Sequence, residues 1–406
     1  MSFAADTPRA VPLSQPAPPS GPVRFMDRGG LFGLLVKNAF LTFITLGIYR
    51  FWARAALRRY WWGSVVIAGD ALEYTGTGLE LFIGFLMFLG IMLPFGVIYG
   101  LTGLLQASNP IAGGLLRLVE AFGFFVLIQF VTFRARRYRL SRTLWRGVRA
   151  SQGGTGGEYL GLVIKWTLLS MITLGLAVPW ARIATTRYLM DRTALGDLEA
   201  RFDGRGRDLL AAWITPYVLF IGSFVLFFAL NIGLVGKLGP GVMPRGLWLL
   251  FIGYVGGGLG FLAYFLIELR YTIQHTRFGE MQLGSSLGIG GLILRVIGFF
   301  VVAMILFAII AALAGAALYS TAAAHPSGVT PTPSISAIIF VVAVFALCAS
   351  FINILRILWL DRAVVRQICE TLSLTNVDRL DRIGQSTAPV PKAGEGMADA
   401  FDIGAF

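Results

Sequence analysis

The pattern ITLG-x4-WAR-x4-RY is written twice in this chain, at residues 44–60 and again at 172–188, 128 positions apart. The register holds upstream, where Gly33, Leu34, Val36 and Lys37 map onto Gly161, Leu162, Ile164 and Lys165. It holds downstream, where Tyr74-Thr-Gly76-Thr-Gly78-Leu-Glu80 maps onto Phe202-Asp-Gly204-Arg-Gly206-Arg-Asp208. A fixed offset kept over so many positions marks an internal duplication, and a duplication constrains topology before any single motif does.

The environment of the fold follows from composition. Of 406 residues, 56% are hydrophobic and 14% charged, against about 25% charged in a soluble domain. The chain therefore belongs in lipid, and the expected class is a polytopic α-helical membrane protein. Eight apolar segments are expected, at 31–49, 81–105, 111–133, 159–180, 209–235, 246–267, 289–318 and 335–360. A crossing needs roughly 20 apolar residues. If all eight crossed, Lys and Arg in the flanks would divide 17 to 13 between the two faces. If 31–49 and 159–180 enter without crossing, they divide 28 to 2. A cytoplasmic excess is the rule for inner-membrane proteins. The favoured arrangement has three spanning hairpins, 81–133, 209–267 and 289–360, and two re-entrant or interfacial segments. Both termini would be cytoplasmic.

Short pieces of β-character lie between the apolar segments, at 65–67, 72–74, 138–140, 143–145, 198–202, 271–273 and 277–278. None could stand alone, so a small cytoplasmic β-structure is expected, assembled from successive units. Organisation along the chain reads as a disordered tail 1–23, units 24–137 and 138–270, a third hairpin unit 271–383, and a mobile tail 384–406. The glycine clusters at 76–78, 153–157 and 204–206 lack the full spacing of a phosphate loop. Each precedes an apolar segment opened by an acid, Glu80, Glu158 or Asp208, which is turn and helix-start chemistry.

Arg50, Arg54 and Arg58 fall at i, i+4 and i+8 on one helix face. Trp52, Arg54, Arg58, Trp180 and Arg182 read as interface anchors, with rings at headgroup depth and cations on anionic lipid phosphates. Ionisable residues within apolar segments are candidates for a polar or ligand site. They are the repeat-equivalent Lys37 and Lys165, and Arg117 with Glu120, spaced to pair on one helix.

The Gly-rich turn, the acid, the apolar run, ITLG-x4-WAR-x4-RY and the Tyr/Phe-x-Gly-x-Gly turn, with the block Tyr138…Thr143-Leu-Trp145-Arg146-Gly147, resemble the YjgN family of bacterial inner-membrane proteins. The resemblance runs from about Phe25 to Gln385. It implies a multi-pass inner-membrane protein and carries over no activity and no functional residues. Two departures stand out: Arg50 where a small residue is usual, and a third hairpin with only the vestige Gly291-Leu-Ile-Leu-Arg295.

Two functions compete. One is transport of a small solute or lipid-like molecule, which expects Lys37 and Lys165 to face a shared cavity. The other is a non-transport scaffold or envelope factor that grips anionic lipid and docks a cytoplasmic partner or a second copy. An enzyme is not expected, because no nucleophile–base set or carboxylate dyad stands out. His275 and His325 lack metal-ligand spacing, so neither metal nor cofactor is expected. The net charge of +13 reads as lipid attraction, without nucleic-acid motifs.

Overall fold

The computed structural model describes residues 23–232, 246–323, 335–376 and 383–386. The expected tails fall outside this range apart from Val23 and residues 384–386. Ten short strands form one sheet whose spatial order is the chain order. They are β1 (Val23–Phe25), β2 (Val65–Ile67), β3 (Asp70–Tyr74), β4 (Thr143–Trp145), β5 (Val148–Gln152), β6 (Thr193–Leu195), β7 (Leu198–Phe202), β8 (Thr276–Phe278), β9 (Met281–Ser285) and β10 (Leu372–Leu374).

Every ladder is antiparallel, and the register repeats from unit to unit. The first two residues of β3, β5, β7 and β9 pair back to the hairpin mate. Their last three pair forward to β4, β6, β8 and β10. Two of the tight turns, Ala68-Gly69 and Arg146-Gly147, take positive φ at both central residues, the geometry that suits a two-residue hairpin. The sheet curls until its first and last strands, β1 and β10, meet. A small apolar core fills it, built on Trp145, Leu198 and Met281, with Ile67, Leu195, Phe278 and Leu374 packed around them.

Between consecutive strand pairs the chain rises into helices and returns. These are α1 (Leu31–Ile44) with α2 (Arg50–Ser64), α3 (Gly78–Ser108) with α4 (Pro110–Ser141), and α5 (Gly156–Ile172) with α6 (Val178–Met190). Next come α7 (Leu210–Asn231) with α8 (Leu247–Gln274), and α9 (Ile289–Ala323) with α10 (Ile335–Leu355). A π-helical stretch, Arg356–Asp361, joins α10 to α11 (Arg362–Thr371). Local chemistry sets the starts and turns. Thr77 and Glu80 form a reciprocal capping box at α3, and the Thr155 hydroxyl caps Glu158 in α5; both satisfy donors the helix cannot. Asn109 alone joins α3 to α4: its side chain accepts from Ala112 N at 3.1 Å, with Pro110 opening α4.

Among the described residues, six helical stretches are long and apolar enough to cross a membrane: 78–108, 110–141, 206–231, 247–274, 289–316 and 338–371. The apolar runs 31–49 and 159–180 behave differently. Each reverses inside the run, and the ITLG motif is the reversal. Leu46 and Gly47 take φ of 49° and 93°, and Leu174 and Gly175 take 52° and 92°. The Thr45 hydroxyl donates to Leu41 O at 2.7 Å and accepts from Tyr49 N at 2.9 Å. Thr173 does the same between Leu169 and Ala177. Pro179 sits in the first turn of α6, where its missing N–H costs nothing.

Two expected strands are corrected. Residues 138–140 and 271–273 are the last turns of α4 and α8, not strands; three alternating residues cannot outweigh a continuing helical ladder. For the same reason the unit boundaries at 137/138 and 270/271 fall inside helices. The third hairpin unit, whose sequence keeps only a vestige of the repeat, supplies helices and strands at the same places as its neighbours.

A tyrosine five residues before a strand closes the base of each of the first four helix pairs. Tyr60 donates to Asp27 at 2.9 Å, Tyr138 to Glu80 at 2.6 Å, Tyr188 to Glu158 at 3.0 Å and Tyr271 to Asp208 at 2.6 Å. In the fifth pair Gln367 holds that place and donates to Gly288 O at 3.1 Å. Asp27 also pairs with Arg362 of α11, which ties the first unit to the last.

Two predictions follow from these joints. An added Cβ at Gly78 would lie 2.7 Å from Trp52 Cα, and one at Gly206 2.8 Å from Trp180 Cα, whereas Gly90 faces open space. Gly78→Ala and Gly206→Ala should each cost about 1–3 kcal/mol in unfolding from detergent, with Gly90→Ala as the control. Equal effects at all three would refute the close packing. Burial, and then the bond to Asp27, push Tyr60 up to about 12, while that bond chiefly lowers Asp27. The stability Tyr60 contributes is complete below pH 10 and is lost as pH rises through about 12. The contribution of Asp27 is present above its ordinary 3.8 and is lost as pH falls through its lower native value. Spectrophotometric titration should show a tyrosinate step near pH 12 that Tyr60→Phe lacks. A Tyr60 step at the ordinary value of 10 would mean the joint does not form.

Candidate functional site

The duplicated motif resolves into parts that hold the fold and parts that do not. Trp52 and Trp180 lie flat against Gly78 and Gly206 of the next unit. Arg59 Nη2 donates to Gly76 O at 3.1 Å, and Arg187 Nη2 to Gly204 O at 2.6 Å. In both copies, therefore, the WAR tryptophan and the RY arginine clamp the short helix pair onto the glycine turn of the following helix. Trp52, 36% exposed, still shows an edge outward, but the close contact to glycine is what the motif spacing encodes.

The other cations differ between the copies. Arg182 Nε reaches both carboxylate oxygens of Glu268, at 2.8 and 3.1 Å. Glu268 is 7% exposed at its side chain and Arg182 50%, so the pair sits at the edge of the α6–α8 packing. Arg58, expected at a headgroup, is instead buried at 5% exposure and donates to the Tyr74 hydroxyl at 3.1 Å. The buried placement corrects the surface-anchor expectation for this residue. Arg54 lines a cavity of about 230 Å³ between α1, α2 and the end of α10, together with Arg50, Arg58, Asn38, Asn353 and Arg356.

Lys37 and Lys165 are both exposed, on α1 and α5, and neither lines that cavity. Arg117 and Glu120 do come together, at 3.2 Å, inside the α3–α4 pair. Thr102 donates to the same carboxylate, and the Arg117 guanidinium stacks 3.5 Å from the Tyr99 ring centre. This cluster satisfies itself within one hairpin and includes neither lysine. Asn353 stands out in the sequence as a polar residue within an apolar segment, whereas Asn38 and Arg356 are lining residues that the sequence did not single out. Their common signal was a polar side chain inside or just beyond an apolar run, facing a third element that no local pattern reveals.

The model of a bacterial protein family of unknown function, DUF898, matches residues 21–400. The chain belongs to this family. Curated relatives include the inner membrane protein YjgN of Escherichia coli O157:H7, 32% identical over 120 residues, or 30% of this chain and 28% of that protein. The protein of the same name from Escherichia coli K12 is 31% identical over the same shares. That of Salmonella typhimurium is 30% identical over 126 residues, or 30% of this chain and 29% of the relative. The chain thus spans less than a third of the length of the curated relatives it matches. No solved structure matches. Together with the six long apolar helices, the relatives support a multi-pass protein of the bacterial inner membrane.

Removing the partner of Arg182 should be felt in stability. Glu268→Gln is expected to cost about 1.5–3 kcal/mol, the range for hydrogen bonds to charged groups, in unfolding from detergent. A loss below a few tenths would mean that solvent already satisfies Arg182.

Proposed function

We propose that the protein is a non-catalytic membrane scaffold. In this reading the β-ring stands at the cytoplasmic face of the inner membrane, and the helix pairs engage anionic lipid beneath it. One observation carries the choice over transport: the repeat-equivalent lysines are exposed on separate helices, and neither lines the cavity described above. A transporter built on the duplication would bring equivalent charges to a common site at the repeat interface. Two outward lysines on apolar helices instead match cations that reach headgroups.

The depth of the short pairs supports the same reading. Both ends of α1–α2, and both ends of α5–α6, are tied to the sheet. At 14 and 17 residues, α1 and α5 fall short of the roughly 20 needed to cross. Their tips are apolar and open, with Leu46 94% and Leu174 78% exposed. Such a tip dips into lipid from one side. With two non-crossing pairs the basic flanks gather on the sheet side, which by the charge rule is cytoplasmic. The exposed outer rim of the ring is then available to a protein partner or a second copy.

The test is labelling of single cysteines with a membrane-impermeant reagent, in a chain where Cys348 and Cys369 are replaced. Cysteine at Arg28 or Glu199 should label from the cytoplasm, at Ser108 from the periplasm, and at Leu46 from neither side. Labelling of the Leu46 position from the periplasm would mean that the short pairs cross. Labelling there from both sides would mark a water path and return the reading to transport.

A further inference from the structure

We propose that the cavity between α1, α2 and the end of α10 is a binding site for one phosphate group, carried by an anionic amphiphile of the adjoining leaflet. This deepens the lipid-engaging reading above and rests on it for the source of the phosphate. The phosphate chemistry itself rests on the cavity alone.

Charge is the first support. Arg50, Arg54 and Arg58 line one wall and Arg356 the other, and no carboxylate is among the lining residues. Arg356 is also paired with Asp361 at 3.0 Å. Planar guanidiniums matched to tetrahedral oxyanions are the usual means of phosphate recognition.

The second support is that the wall is built and held. Asn38 and Arg58 are both more than nine-tenths buried. The Asn38 amide donates to Ala53 O at 3.3 Å, and Arg58 is fixed on Tyr74. The Arg50 guanidinium lies 5.0 Å from the Phe51 ring centre and 5.5 Å from that of Phe85. Groups already positioned lose less freedom on binding. Arg356 opens the π-helical stretch, a backbone irregularity that recurs at functional sites.

The third support is internal to the chain. The second copy, α5–α6, builds the same helix pair and the same clamp without this cluster. There Trp166 stands for Asn38, Val178 for Arg50 and Thr186 for Arg58, while the remaining Arg182 is held by Glu268. The α5–α6 pair therefore forms without these arginines, and the cluster is particular to the first unit.

Size and setting choose the ligand class. About 230 Å³ is room for roughly eight waters at ~30 Å³ each, which is ample for a phosphate and its glycerol. Leu35, Leu57, Ile354 and Ile357 supply an apolar wall, and α1 and α10 show apolar side chains outward beside it, including Val36, Phe40 and Phe351. Acyl chains can therefore leave the cavity without crossing polar surface.

The experiment is native mass spectrometry of the full chain in neutral detergent, titrated in turn with phosphatidylglycerol, phosphatidylcholine and glycerol phosphate. The expected result is one phosphatidylglycerol adduct per chain, with phosphatidylcholine and glycerol phosphate bound far more weakly. Arg54→Gln and Arg50→Val should each weaken it about tenfold or more. Asn38→Trp, which installs the residue of the second copy, should abolish it, and Lys165→Gln should leave it unchanged. Equal binding of glycerol phosphate would keep the phosphate site and overturn the lipid as its source. No saturable adduct, or equal weakening by Lys165→Gln and Arg54→Gln, would overturn the site and leave only diffuse attraction between lipid and a basic protein. Neither result bears on whether the short pairs cross, which cysteine labelling decides separately.

Discussion

Everything in this molecule hangs on the forward half of each strand ladder. Strands of three to five residues have no independent stability in water. Each long strand spends two residues on its hairpin mate and three on the next hairpin. No unit is therefore complete without its neighbour, and the helix pairs inherit their spacing from that register. Further contacts reinforce it: a tyrosine closes the base of each of the first four helix pairs, and in the two short pairs a tryptophan is seated on the glycine of the following turn. The result is a ring in which pairs of different lengths, short for the first and third and long for the others, stand on one platform.

The duplication shows which positions serve that architecture. Trp52 and Trp180, Arg59 and Arg187, Thr45 and Thr173 make equivalent contacts in both copies. The middle arginine of the motif does not. In one copy it is held by Glu268, and in the other it faces a cavity with three more guanidiniums. The tightest pair, α7–α8, takes another route. Gly253, Gly257 and Gly260 lie so close to Ser223, Phe220 and Pro216 that a Cβ would collide, which is small-residue packing suited to lipid.

Membrane character was legible because it depends on composition and run length, both local properties. The charge imbalance pointed to two segments unlike the rest, and the reversals at Gly47 and Gly175 do set these two apart from the six long helices. The strands at 65–67, 143–145 and 198–202 could be read because each is bounded by Gly, Asp or Arg-Gly turns. Strands β1 and β10 could not be read, since each is three residues long and owes its conformation to partners far along the chain. Residues 138–140 and 271–273 misled for the reverse reason: alternation over three positions imitates a strand at a helix end. Among the site residues, Arg117 and Glu120 were readable as an i, i+3 pair. Arg58 was assigned to the right helix face but to the wrong environment, because Tyr74, its partner, comes from β3. The cavity was unreadable, because its second wall lies some 300 positions beyond its first.

The seam between β1 and β10, reinforced by Asp27 and Arg362, sets an order on biosynthesis. Strand order equals chain order, so the ring grows in one direction as the chain leaves the ribosome. Its first edge waits for residues 362–374. At ~5–20 residues per second, that wait is about 17–70 s, during which the outer edge of β1 has none of its later cover. The last helical segment is thus also the clasp, and a chain arrested before it would leave the β1 edge uncovered, the kind of edge that recruits other strands.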